Sequence, residues 1–167
     1  MMIRRLESCI LLMCFLTSFG CTLKTVDTTE TGDKKTIKSK VLIATQNSRF
    51  KGEVISEIKK SLGDNVKYIK VVDVKWLPNE SVDNYRAIVI LNTCMAGRPD
   101  PRVESFIDNI QDKKKLVVLT TGRLDSWKPE SPEVDAITSA STMSKSGVVA
   151  RTIADKVLAI IKVQEKI

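Results

Sequence analysis

Three runs of consecutive apolar residues limit what this chain can fold into: Val41-Leu42-Ile43-Ala44, Ala87-Ile88-Val89-Ile90-Leu91 and Leu116-Val117-Val118-Leu119. A strand with one wet face alternates apolar and polar residues, whereas an unbroken apolar run has cover on both faces. Residues 66–72 alternate as a further strand, and residues 134–138 form a shorter fifth. Helical spacing appears between the strands. Ser48 is an N-cap ahead of Phe50, Val54, Ile55, Ile58 and Leu62, with Gly63 at the end. Asp100 caps and Pro101 opens a second helix that turns Val103, Phe106, Ile107 and Ile110 inward. The last helix, residues 146–163, places Val149, Ile153, Val157, Ile160 and Ile161 on one face. Strand–helix alternation around doubly covered strands means a parallel sheet between helical layers.

This arrangement, spread over residues 40–167, resembles the flavodoxin-like fold. The resemblance implies an α/β, three-layer, doubly wound parallel five-stranded sheet of order 2-1-3-4-5. Two crossovers are shortened. The second has room only for a short helix at residues 80–85, and the fourth, residues 120–133, carries Gly122, Pro129 and Pro132 and reads as an irregular excursion. Ligands of such folds sit outside the carboxyl ends of the strands. That points to the loops at residues 45–51, 92–100, 120–131 and 139–146.

Residues 1–20 read as a secretion signal: Arg4 and Arg5, an apolar run from Cys9 to Leu16, then Thr17, Ser18, Phe19 and Gly20. Cys21 behind a small residue resembles the lipobox of bacterial lipoproteins, with Ser18 where that pattern prefers Leu. The resemblance implies cleavage before Cys21 and its acylation with palmitate-type chains, which anchors the domain to a membrane of the cell envelope, the outer membrane or periplasmic face. Two acyl chains hold a protein stably where one does not. Residues 22–39, rich in Thr, Gly, Asp and Lys, read as a flexible tether.

Composition removes several chemistries. The chain has no histidine, so His-based triads, His metal sites and the usual proton shuttle are absent. No clustered Asp/Glu motif marks a metal site. Of four cysteines, Cys9 and Cys14 leave with the signal and Cys21 is blocked by lipid, leaving Cys94 without a disulfide partner. The formal charge of +7 falls to +6 when Arg4, Arg5 and Glu7 are removed. Its lysines are spread along the chain rather than gathered into one stripe, the pattern of a solvated basic surface rather than a nucleic-acid site.

The flavodoxin resemblance implies an FMN phosphate loop of T-x-T-G-x-T type, in which glycine and hydroxyls let backbone N–H groups close on the anion. Here the loop is Thr45-Gln46-Asn47-Ser48-Arg49-Phe50-Lys51, without the glycine and with Phe50 in a position the motif keeps small. Thr45 and Ser48 offer hydroxyls, Arg49 or Lys51 a charge, and Phe50 also starts the apolar helix face. Thr93, Cys94 and Gly97 lie in the second loop, which has no aromatic ring. Thr121, Gly122 and Trp127 belong to the third, where Trp127 can stack on a planar ligand or fold over the core. Trp76 and Tyr85 read as packing around the second crossover. Asp135-Ala136-Ile137-Thr138-Ser139-Ala140-Ser141-Thr142 is similar to the segment by which some membrane redox-pump subunits attach flavin, but Ser139 replaces its glycine and Ser141 its acceptor threonine. The alternative for that stretch is a hydroxyl-rich turn capping the last helix.

Taken together, the expectation is a lipid-anchored envelope protein whose domain is a non-enzymatic binding or accessory module for a small molecule or an envelope protein. The alternative is an FMN-binding electron-transfer protein. Candidate ligand residues are Thr45, Gln46, Asn47, Ser48, Thr93, Cys94, Gly97, Thr121, Gly122, Trp127 and Ser139. No catalytic residue, metal or nucleic acid is expected.

Overall fold

The computed structural model describes residues 25–34, 39–122 and 128–164. Cys21, the signal segment and Trp127 lie outside the described residues. The elements are β1 (Thr29–Gly32), β2 (Lys40–Thr45), α1 (Arg49–Leu62), β3 (Tyr68–Asp73), β4 (Ala87–Thr93), α2 (Pro101–Asn109), β5 (Leu116–Thr121), β6 (Asp135–Ser139) and α3 (Ser146–Gln164). They form one six-stranded sheet in the order β1-β3-β2-β4-β5-β6. All pairings are parallel except β1 with β3, which is antiparallel.

The apolar runs become the central strands because both of their faces are covered. Val41 and Ile43 of β2 point into a core closed by α1 and α3, through Val54, Ile58, Ile153 and Val157. Leu42 and Ala44 point into a second core, closed by Val103 and Ile107 of α2 together with Leu77 and Tyr85. Leu42, Ile43, Ile88, Ile90, Leu116 and Leu119 are fully buried. Each such side chain contributes on the order of 1.5–3 kcal/mol by leaving water.

The expected five-stranded sheet needs correcting by one strand, and the expected flexible tether with it. Thr29–Gly32 is an exposed edge strand that caps the open side of β3. An unpaired edge is a row of open hydrogen-bonding groups, and β1 covers it. Gly32 makes the exit possible: its φ is +101°, and a Cβ there would stand 2.0 Å from the Lys67 carbonyl oxygen. Val26 packs against the α1–α3 core and donates its N–H to Asp73 Oδ2 at 3.0 Å. The folded unit thus begins upstream of residue 40.

The second crossover has no α-helix. Two 3-10 turns, Val74–Asn79 and Val82–Asn84, replace the helix expected at residues 80–85. Pro78 in the first turn removes a backbone donor and blocks a regular helix. Tyr85 packs inside as expected, whereas Trp76 stands 46% exposed. Among the described residues no helix is long and apolar enough to cross a membrane.

Candidate functional site

All five parallel strands point the same way, so their carboxyl ends share one edge. There the chain leaves a cleft of about 480 Å³. Its walls come from the first loop (Gln46, Asn47), the end of β3 (Asp73), the end of β4 (Thr93, Met95) and the start of α2 (Asp100, Arg102), with Thr25 arriving from the N-terminal segment. A hollow of similar size, about 520 Å³, lies between α2 and residues 128–131, but mostly exposed charged side chains line it.

Lys51 lies beneath the cleft. Although charged, it is only 1% exposed, because it sits on the apolar face of α1 in register with Val54, Ile58 and Leu62. Its Nζ donates to Gln46 Oε1 at 3.1 Å and, by a short bond, to Thr93 Oγ1. Neither partner is a carboxylate, so burial dominates and pulls the ammonium down from 10.5 to about 8. Gln46 is the hub. Its Oε1 also accepts the Thr93 N–H at 2.6 Å, and its Nε2 donates to Asp100 Oδ2 at 3.2 Å. Asp100 caps α2 through the Arg102 N–H and pairs with the Arg102 guanidinium at 2.6 Å, which holds its carboxyl below the usual carboxylate range. A chain of contacts therefore runs from a buried cation, through a neutral amide, to an ion pair at the rim.

Asp73 closes the far side. It accepts from the N–H groups of Val26 and Lys75, each at 3.0 Å, and so fastens the N-terminal segment and the 3-10 turn to one strand end. Asn92 is wholly buried; its Oδ1 accepts the Asp100 N–H at 3.2 Å. Its Nδ2 has no protein partner, a deficit of ~1–3 kcal/mol for a buried donor.

The sequence-derived residues divide into two groups. Gln46, Asn47 and Thr93 come together in the cleft wall. Several others are consumed locally. The Thr45 hydroxyl donates to the Gln46 carbonyl, Thr121 to the Asn92 carbonyl, and Ser139 to the Ala140 carbonyl. Ser48 accepts the Lys51 N–H at 3.1 Å as the N-cap of α1. Cys94 is half-buried, its N–H held by the Thr121 carbonyl. Gly97 has φ +79° in an exposed turn, and Gly122 is half-buried after β5. Sequence reasoning missed Asp73, Lys75, Met95, Asp100 and Arg102 as cleft residues, and Lys51 as a buried one. The signal for Lys51 was present: it precedes Val54 by three positions and Ile58 by seven.

These groups do not reproduce a flavin-phosphate cradle. The loop has no glycine, Phe50 is buried in the core, and the hydroxyls of Thr45 and Ser48 are already engaged. Among the described residues no three of His, Cys, Asp and Glu stand close enough to hold a metal ion.

No family model and no curated protein sequence matches the chain. Solved structures do. A flavodiiron core from Synechocystis aligns with TM-score 0.53 and 10% identity over 78% of this chain and 38% of that one. An archaeal flavodoxin and flavodoxin 2 from Bacillus cereus align with TM-scores of 0.47, identities of 14% and 17%, and coverage of 71% and 72% of this chain and 98% of each of theirs. The strand topology and the first of these likenesses define a flavodoxin-like α/β fold. Identities this low speak to the fold alone.

Proposed function

We propose that this chain is a lipid-anchored protein of the bacterial envelope whose flavodoxin-like domain binds a small anionic ligand in the carboxyl-edge cleft without catalysing a reaction on it. The carrying observation is the buried Lys51 cation beneath Gln46 and Thr93, with no carboxylate as its direct partner. Lys75 and Arg102 face Asp73 and Asp100 around the concavity, and Lys51, buried behind the wall residues Gln46 and Thr93, adds a third cation to two carboxylates. Low-dielectric surroundings strengthen that imbalance toward an entering anion. Gln46 and Thr93 supply the neutral polar contacts that orient it.

The test is a thermal-melt screen of the chain against small phosphorylated and carboxylated compounds, repeated with Gln46→Leu. A ligand at a hundred times its Kd stabilises the fold by ~2.7 kcal/mol. The expected result is a saturable rise in Tm for at least one anion class, lost in the variant. No response from any anion refutes the reading. The competing reading, an FMN electron carrier, has the fold in its favour and the glycine-free loop against it. One-to-one quenching of FMN fluorescence, with yellow protein after gel filtration, would establish it instead. Anchoring is tested separately: Cys21→Ser is expected to release the chain from membranes.

A further inference from the structure

We infer that the carboxyl edge of the sheet is the face that lies against an anionic phospholipid surface. The inference rests on acylation of Cys21 and adds an orientation to it.

Three observations converge. The first is where the chain enters the domain. Thr25 lines the cleft, and Val26 is fastened to Asp73 at the carboxyl end of β3. Cys21 is four residues from Thr25, a contour of at most ~14 Å. An anchor that short keeps the edge where the chain enters close to the headgroups.

The second is where exposed apolar side chains lie. Among the described residues the large exposed hydrophobics are Trp76, Met95, Met143, Val148 and Val163. Trp76, Met95 and Met143 follow the carboxyl ends of β3, β4 and β6, and Val148 lies in the first turn of α3, which opens after β6. Only Val163 lies at the opposite end. Scattered surface hydrophobics would not segregate in this way. Met95 is 75% exposed and sits on a rigid tip: the N–H groups of Met95 and Arg98 bond each other's carbonyls across Ala96 (φ 50°) and Gly97 (φ 79°). Tryptophan favours the interfacial zone of a bilayer.

The third is charge. The same turns carry Lys75, Arg98 and Lys145, and Arg49 stands at the same edge where α1 opens after β2. Of the carboxylates at this edge, Asp73 is buried and the Asp100 side chain is 9% exposed and paired with Arg102, which leaves Asp27 and Glu104 exposed against the four cations. Basic residues interleaved with apolar ones match a negatively charged leaflet. Docked this way, the cleft opens toward the membrane surface, so its ligand arrives along the bilayer or is released onto it.

The experiment uses the full chain, exported so that Cys21 is acylated, with acylation verified by mass. Trp127→Phe leaves Trp76 as the only tryptophan, the sequence containing two. The protein is reconstituted on phosphatidylglycerol vesicles with brominated acyl chains. Trp76 emission is expected to fall at least twofold and shift to the blue. Lys75→Glu/Arg98→Glu/Lys145→Glu, checked for an unchanged melting curve, is expected to stay vesicle-bound through its lipid while losing the quenching. Unquenched Trp76 in an acylated, vesicle-bound chain overturns the orientation, and leaves the edge to a protein partner. If mass shows no acylation, the anchor reading fails. The orientation is then judged by sedimentation of the unacylated chain with phosphatidylglycerol vesicles. Salt-sensitive binding, at least tenfold weaker in the charge variant, supports it; no binding overturns it.

Discussion

Replacing Lys51 by methionine should abolish a specific pH dependence of folding stability. The side chain is 1% exposed and has only neutral partners, Gln46 Oε1 and Thr93 Oγ1. Burial therefore lowers its proton affinity from 10.5 to about 8 in the folded chain, a difference worth ~3 kcal/mol. Between those two values the unfolded chain binds more protons than the folded one, so stability rises with pH. Integration from about pH 7 to about pH 9.5 assigns ~2 kcal/mol of added stability to this one amine. Above about pH 10 the phenols act in the opposite sense. Burial first, then Glu30, pushes Tyr68 up to about 12, and Tyr85 is pushed up as well, so ionisation favours the unfolded chain there. The informative window is thus about pH 7 to 9.5. Methionine matches the lysine stem and carries no charge, and apolar replacement of a buried ion is often neutral or stabilising. Lys51→Met is accordingly expected to equal or exceed the parent in stability at pH 7 and to lose that advantage as pH rises. Urea midpoints at a series of pH values measure this directly, because all other titrating groups cancel in the difference. Parallel profiles for parent and variant would refute the claim that Lys51 is a buried, chargeable amine.

Two further substitutions test the edges of the fold. Gly32→Ala places a Cβ 2.0 Å from the Lys67 carbonyl at φ +101°, a strain of ~1–3 kcal/mol concentrated on β1; its amides should exchange at least tenfold faster while those of β2 and β4 stay protected, and equal protection throughout would refute the role given to Gly32. Tyr85→Phe removes the phenol bond to Glu80 at 2.7 Å but leaves Lys70 paired with Glu80 at 2.6 Å, so a loss of ~1.5 kcal/mol is expected in the urea midpoint with no change in slope, and an unchanged midpoint would refute it.

What was legible in the sequence follows from burial. Residues 41–44, 87–91 and 116–119 could be read because two covered faces leave no place for a polar residue, and the loops at their carboxyl ends followed from topology. Thr29–Gly32 escaped notice because all four of its residues are exposed. An edge strand of that kind has no apolar signature, and only its β-branched threonines and Gly32 hinted at it. The site was half legible for a related reason. Hydroxyl-bearing residues attract attention, yet Thr45, Thr121 and Ser139 spend their hydroxyls on neighbouring carbonyls. Lys51 reads in the sequence as a loop charge beside Arg49, although its helical register places it inward; Asp73 lies just past the strand read at residues 66–72, and Asp100 reads as a helix cap, which it also is.

Asp73 connects the N-terminal segment, the fold and the cleft. One carboxylate accepts from Val26 of the entering segment and from Lys75 of the turn beside the cleft, while its own strand pairs with both β1 and β2. The residues that position the N-terminal segment therefore also shape the cavity wall. In a domain hung from an unstructured leash these two tasks would be independent, and the cleft could face any direction. Here the chain is fastened within five residues of Cys21, at the edge that holds the cleft. A lipid on that cysteine would thus fix how near the membrane the domain sits and also which of its faces is turned toward it.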